Sequence, residues 1–263
     1  MDLLCPVCKE ILIKDINRYH CVNGHSFDIA KEGYLNLNLK SSVKTGDEKE
    51  MIRARKAFLE KGCYLFLRDR LNEIIDELHP ESLIDLGCGE GYYTKSFNVK
   101  DKIGIDLSKE ALRLASRNDK STQYVLKTIF DVPLADKSTD LIITIFAPVS
   151  KEISRLLKND GYFILVRPDE RHLYELKEAV YESPYLNEIE EVPVEGMKLI
   201  REFKINSKSR LSNEELTDLF KMTPYYHKTS AEDFAKLSKT DELEVSFSFI
   251  ISLYKKISLY KKI

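Results

Sequence analysis

The chain has 263 residues, with 41 Lys and Arg against 43 Asp and Glu, 43% hydrophobic content, five Cys and no Trp. The near-neutral balance argues against coating nucleic acid by bulk charge, and the apolar fraction excludes disorder over most of the chain. No run reaches the ~18–20 apolar residues of a membrane span, and Met1-Asp2-Leu3-Leu4-Cys5-Pro6 does not read as a signal peptide, so a cytoplasmic protein is expected.

A reducing compartment disfavours a disulfide framework, so cysteine spacing becomes informative. Cys5-Pro-Val-Cys8 is followed by Cys21-Val-Asn-Gly-His25, a C-x2-C-x12-C-x3-H pattern. Zinc takes four such ligands in a tetrahedron, and each short pair can wrap a turn that points both side chains at one ion. His20 competes with His25 for the fourth place, but neighbours on an extended chain face opposite ways. A segment this short cannot bury enough apolar surface to fold unaided, so metal would supply stability. Residues 27–39 read as extended chain and loop, which excludes a DNA-reading finger helix and predicts a structural zinc ribbon. Cys63 and Cys88 lack a paired partner and read as packing or site-lining residues.

Three stretches lean positive: residues 49–70, residues 198–210, and the tail with Lys255, Lys256, Lys261 and Lys262. Each suits either a solvated face or a grip on phosphate. Ser82-Leu-Ile-Asp-Leu86 predicts a buried strand, and Gly87-Cys-Gly89-Glu-Gly91-Tyr-Tyr93 follows it at once. A strand that ends in glycines and runs into a helix lets backbone approach a ligand closely. A dinucleotide fingerprint would space its glycines G-x-G-x-x-G. Here Asp85, Gly87, Gly89 and Gly91 form D-x-G-x-G-x-G, which resembles the first motif of S-adenosylmethionine (AdoMet) methyltransferases. A second strand at 102–105 ends in Asp106, 19 residues past Gly87, where a carboxylate can accept hydrogen bonds from ribose hydroxyls.

Alternation continues with a helix at 109–117, strands at 123–127 and 140–146, and a helix at 151–157 closed by Asn159-Asp-Gly161. A strand at 162–167, a helix at 171–181 and two antiparallel strands at 203–207 and 245–254 complete the reading. The fold predicted is α/β: a Rossmann-like AdoMet methyltransferase with a mixed seven-stranded sheet and a small N-terminal zinc ribbon. Its parts are a ribbon at 1–36 for RNA recognition, a linker with helices at 37–78, and a methyltransferase domain at 79–263. Ile251-Ser-Leu-Tyr-Lys-Lys256 is repeated immediately at 257–262, and nothing physical explains the duplication.

The zinc knuckle, Ala30-Lys-Glu-Gly-Tyr-Leu-Asn-Leu37 and Met51-Ile-Arg-Ala-Arg-Lys-Ala-Phe-Leu59 leading to Gly62-Cys-Tyr64 precede the glycine loop. Phe146-Ala-Pro148, Arg171-His-Leu-Tyr-Glu-Leu-Lys177 and Met222-Thr-Pro-Tyr225 follow it. Over nearly the whole chain this set resembles the bacterial large-subunit (23S) ribosomal RNA guanine-N1 methyltransferases of the RlmA/RrmA type. The resemblance implies zinc on Cys5, Cys8, Cys21 and His25, and cofactor contacts from Tyr64, Gly91, Tyr92 and His172. The general methyltransferase pattern adds Asp85, Gly87, Gly89 and Asp106. Without the resemblance, Tyr64 reads as a core aromatic and His172 as a capping or solvated residue.

The resemblance further implies a homodimer and a 23S rRNA hairpin as partner, since guanine N1 lies on the Watson–Crick edge and must be unpaired for transfer. Asp169 and Glu170 are the carboxylates considered as base, with a polar loop as the equal alternative, and the catalytic base is left unassigned. Competing readings are a methyltransferase for a small metabolite and a non-catalytic rRNA-binding assembly factor.

Overall fold

The computed structural model describes residues 1–39, 49–189 and 192–257; most of the repeated hexapeptide, with Lys261 and Lys262, lies outside them. The first strands are short: β1 (Ile13–Lys14), β2 (Arg18–His20), β3 (Ser26–Asp28) and β4 (Leu35–Asn36). Helices α1 (Lys49–Glu60) and α2 (Leu65–Leu78) follow. Then come β5 (Ser82–Leu86), β6 (Asp101–Asp106), α3 (Lys109–Asn118), β7 (Thr122–Leu126), β8 (Thr139–Ile145), α4 (Glu152–Leu156) and β9 (Leu157–Pro168). The last part is α5 (Tyr174–Val180), β10 (Met197–Ser212), α6 (Asn213–Lys221), α7 (Ala231–Leu237) and β11 (Glu242–Lys256).

The strands form a three-stranded sheet β1-β2-β3 and an eight-stranded sheet in the order β10-β11-β9-β8-β5-β6-β7-β4. Pairing is parallel from β4 through β9, and antiparallel where β11 meets β9 and β10. The order reverses at β5: the chain goes to β6 and β7 on one side, then returns to place β8 on the other. The connection from β5 leads to one side and the chain beyond β7 returns to the other, which opens at the carboxyl end of β5 the crevice in which such sheets bind ligands.

The central strands are apolar on both faces. Leu83, Leu141, Ile143, Ile164 and Val166 enter one core with α1, α2 and α5–α7. Their neighbours Ile84, Ile142, Phe163 and Leu165 enter a second core, shared with Leu3, Leu12, Tyr19, Leu35 and Leu37 of the N-terminal segment. That is the pattern of parallel strands covered on both sides.

Seven strands are predicted and the sheet has eight, because β4 of the N-terminal segment adds itself in parallel to β7. Beside it the Leu37 N–H donates to the Leu126 carbonyl at 3.2 Å, and Tyr19 Oη donates to Gln123 Oε1 at 2.9 Å. Glu32 takes Arg113 and Arg117, each at 3.1 Å. The ribbon thus draws on the sheet for burial as well as on metal.

Four local expectations differ from the structure. After the glycine loop a single 3-10 turn, Thr94–Ser96, stands where the motif predicts a helix; only a short connection remains before β6, too little for more turns. Residues 159–161 lie inside β9, where Asp160 has φ 64° and the register against β8 shifts between Thr139 and Leu141. Helix α5 starts at Tyr174 rather than 171, because Leu173 is left-handed (φ 59°) and its N–H is bound to the Ser246 carbonyl at 3.1 Å. The two late strands run 16 and 15 residues, much longer than predicted, since even their polar positions are paired across one hairpin.

Leu35→Ala, at a fully buried position joining ribbon and sheet, is expected to cost about 2–5 kcal/mol. Denaturant unfolding should remain one transition; a separate early transition of the ribbon would show that the two cores are independent.

Candidate functional site

In the ribbon, the Cys5-Pro-Val-Cys8 turn ends at Lys9 in the left-handed region (φ 65°), and Gly24 takes φ 83° inside the second turn. These turns bring one ligand atom each from Cys5, Cys8, Cys21 and His25 within 4.8 Å of one another. Cys5 Sγ lies 3.6 Å from His25 Nδ1, Cys21 Sγ 3.4 Å from the same nitrogen, and Cys8 Sγ 3.6 Å from Cys21 Sγ. Zinc–ligand bonds of about 2.0–2.3 Å in a tetrahedron give edges of roughly 3.3–3.8 Å, so the donor set fits that ion. A backbone hydrogen bond at Glu10 lowers the Cys8 thiol to about 6, toward the thiolate that metals bind. His20 stays outside the cluster.

The second site is a cavity of about 880 Å³ at the carboxyl ends of β5, β6, β8 and β9, roofed by α1. Tyr64, Asp85, Gly87, Gly89, Tyr92, Asp106 and His172 all line it; Gly91 does not. A Cβ on Gly91 would stand 2.6 Å from Tyr124 Oη, and one on Gly87 2.5 Å from Ala147 Cβ, so both glycines let neighbouring elements close on the loop. At Gly89 the nearest heavy atom would be Arg55 Nη1 at 3.8 Å, so the loop turns an open face to the cavity there.

Asp106, ending β6, shapes that loop. One carboxylate oxygen accepts the Gly89 N–H at 2.9 Å and the other the Ser108 N–H at 2.7 Å, while Ser108 caps α3. Asp85, one residue before the end of β5, is 2% exposed; its Oδ2 accepts from Thr94 Oγ1 at 2.5 Å, while its buried Oδ1 meets no partner. Burial pushes this carboxyl up to about 7. An orphaned carboxylate oxygen at a cavity wall suits a cationic ligand group.

Aromatic rings build the far wall. Tyr64, 2% exposed, packs edge-on against Phe58, Phe247 and Phe249, with centroids 5.1–5.4 Å apart. His172 lies 4.5 Å from the Phe249 ring, and its Nδ1 accepts the Ser248 N–H at 3.3 Å. Burial lowers this imidazole to about 3; the ring is neutral and its proton sits on Nε2. Phe146, at the end of β8, holds φ 58° and remains 43% exposed at the cavity. A bulky residue in that region is strained, and strain of this kind gathers at functional sites.

Neither carboxylate considered as base lines the cavity. Asp169 accepts from Ser248 Oγ at 3.0 Å and pairs with Lys204 at 3.3 Å, and Glu170 is exposed. The basic stretch at 49–70 also divides: Arg53 is exposed, Arg55 enters the cavity wall, and Arg70 lies over the Phe203 ring at 4.4 Å.

Sequence reading missed Thr94, Arg167 and Lys228, took Arg55 only as one charge of the basic stretch at 49–70, and missed a buried brace. Lys177, 1% exposed, lies 4.1 Å from the Tyr185 ring centroid and 4.9 Å from that of Tyr225. It donates to Asn187 Oδ1 at 2.7 Å, which also accepts from Tyr225 Oη at 2.8 Å. Asn187 Nδ2 donates to the His172 carbonyl at 3.0 Å. Lys177 and Tyr225 stand within the motifs quoted above, whereas Asn187 has no signal in sequence.

Residues 3–39 match the family described as RlmA, N-terminal, a zinc ribbon, and residues 79–223 match the methyltransferase domain family. The chain is 33% identical to the putative 23S rRNA (guanine-N(1)-)-methyltransferase YxjB of Bacillus subtilis, over 84% of this chain and 85% of that protein. It is 31% identical to the 23S rRNA (guanine(748)-N(1))-methyltransferase of Streptomyces fradiae, over 68% of this chain and 67% of the other. A putative 23S rRNA (guanine-N(1)-)-methyltransferase of Micromonospora griseorubida is 34% identical over 66% and 68%.

Cys8→Ser is expected to remove zinc and lower the melting temperature, as is chelation of the wild-type protein. Elemental analysis alongside thermal unfolding checks this; full metal content in the variant would refute the assignment.

Proposed function

The chain belongs to the family of 23S rRNA guanine-N1-methyltransferases with an RlmA-type zinc ribbon, and from that premise we propose that it methylates N1 of a guanine in a hairpin loop of 23S rRNA, using AdoMet. The observation that carries this reading is one cavity holding Asp85, the open face of Gly89 and Asp106, together with Phe146, Arg167 and Lys228. Its volume lies in the upper part of the ~300–1,000 Å³ range of ligand pockets, room for a cofactor and a base together.

In this reading Asp106 takes the ribose hydroxyls with the lone pairs its two backbone bonds leave, and Asp85 faces the ammonium. Tyr64, Tyr92 and His172 wall the cofactor; Gly87 and Gly89 give it backbone to lie against, and Gly91 sets the loop's shape. Bound there, AdoMet would supply the methyl group: the C–S electron pair would stay on sulfur as the bond to N1 forms, and the proton that N1 carries would leave to solvent, no side chain being assigned as its base. The chain's own part is alignment in a water-poor site. Neutral His172 offers an Nε2–H donor rather than a base, and Phe146 offers an exposed ring on which an extruded guanine stacks. Arg167 and Lys228 bring positive charge to that side.

The division into ribbon (1–36), connecting helices (37–78) and methyltransferase domain (79–263) belongs to the same proposal. The ribbon and exposed Arg53 hold RNA phosphates and the cavity presents the methyl. A homodimer and a cytoplasmic setting complete it, on the resemblance; among the described residues no helix is long and apolar enough to cross a membrane.

Labelled methyl should pass from AdoMet to 23S rRNA taken from cells lacking this gene, and mass spectrometry of the digest should find N1-methylguanosine. No transfer to RNA or to pre-ribosomal particles, with AdoMet still bound, would favour a small-metabolite substrate. The Asp85 carboxyl adds a pH test. Below about 7 it holds a proton that a cationic ligand displaces, so AdoMet affinity should rise between about pH 5.5 and 7, by at most about tenfold per unit. Calorimetry in buffers of different ionisation heat should detect the released proton, and Asp85→Asn should abolish both effects; an equal pH slope in the variant would exclude Asp85 as the cation's partner.

A further inference from the structure

The charged groups around the cavity are unevenly distributed. Three carboxylates line it, Asp85, Glu90 and Asp106, and all stand on or beside the glycine loop. Three permanent cations line it as well: Arg55, Arg167 and Lys228. Arg167 and Lys228 also line a neighbouring hollow with Tyr185, Leu186 and Tyr225, so they stand at the side away from the loop. Arg55 alone among the three lies against the loop, its Nη1 3.8 Å from where a Cβ on Gly89 would be and 4.0 Å from Glu90 Oε2.

Its placement follows from helix periodicity. Met51, Arg55 and Leu59 are spaced by four and share one face of α1, and all three line the cavity. A stripe that roofs a pocket has two apolar members and a guanidinium between them, with 26% of that side chain exposed. A basic residue whose only task was to grip phosphate outside would stand on the opposite face, as Arg53 does.

We propose that Arg55 binds the carboxylate of the AdoMet methionyl tail over Gly89, a step that rests on the cofactor reading above. The tail carries one ammonium and one carboxylate. Asp85 matches the first; the second needs a cation on the loop side, and Arg55 is the lining residue of that charge there. A guanidinium has five N–H donors in a planar fork, so it can hold Glu90 and a ligand carboxylate together. Glu90 in turn fixes the fork against the loop. Recognition of this kind makes the site sensitive to a group remote from the methyl, which a pocket built only of rings and glycines would not be.

The test compares two ligands by calorimetry: AdoMet, and decarboxylated AdoMet, which keeps adenosine, sulfonium and amine but lacks the carboxylate. Arg55→Gln should weaken AdoMet about tenfold or more and leave decarboxylated AdoMet within about twofold, whose binding also shows that the variant is folded. Arg55→Lys should recover part of the loss, since it restores charge without the fork. Glu90→Gln should keep most of the preference for AdoMet. Equal weakening of both ligands by Arg55→Gln would make Arg55 only a latch between α1 and the loop and overturn the proposal, as would no weakening of either. Failure of the wild-type protein to bind either ligand would instead overturn the cofactor reading itself.

Discussion

One carboxylate organises the cavity at the glycine loop. Asp106 ends β6 and accepts two backbone N–H groups, one from Gly89 in the loop after β5 and one from Ser108 at the start of α3. Charge-assisted bonds to backbone are strong and fix their partners closely. The loop has little regular structure of its own, because a single 3-10 turn replaces a helix after it. Its shape depends on the neighbouring strand end and on close approaches: Ala147 against Gly87, Tyr124 against Gly91. The open face at Gly89 is what these contacts leave.

The same economy governs the N-terminal module. Its three strands total eight residues, far too few to bury a core. Zinc ligation at one end and packing of Leu3, Leu12, Tyr19, Leu35 and Leu37 on the sheet at the other supply what size cannot. Because β4 is a strand of the main sheet, the ribbon is held in fixed relation to β7 and α3.

On the opposite side of the cavity a buried cation does comparable work. Lys177 is enclosed by two tyrosine rings and bound to Asn187, which also holds Tyr225 and the His172 carbonyl. A buried charge is retained only where hydrogen bonds compensate its lost hydration. Here the network ties α5, the segment before β10 and the Pro224-Tyr225 turn together around His172.

Spacing alone determined a good part of this protein. The Cys/His cluster follows from C-x2-C-x12-C-x3-H, since each pair is local, and β5, β6 and α3 follow from apolar runs and helical spacing. Asp85 and Asp106 stand out because each stands at the end of a buried strand, or one residue before it, beside glycines. Other features depend on contacts between residues far apart in the chain. Thr94 under Asp85, Asn187 behind His172 and β4 on β7 carry no local signature, because a side chain's partner across the fold leaves no periodicity in its own segment. The left-handed Leu173 that shortens α5, and the eighth strand, likewise follow from hydrogen bonds to distant backbone. Sequence set which segments could form and which residues carried chemistry; the packing of the sheet's two faces decided which of those residues meet.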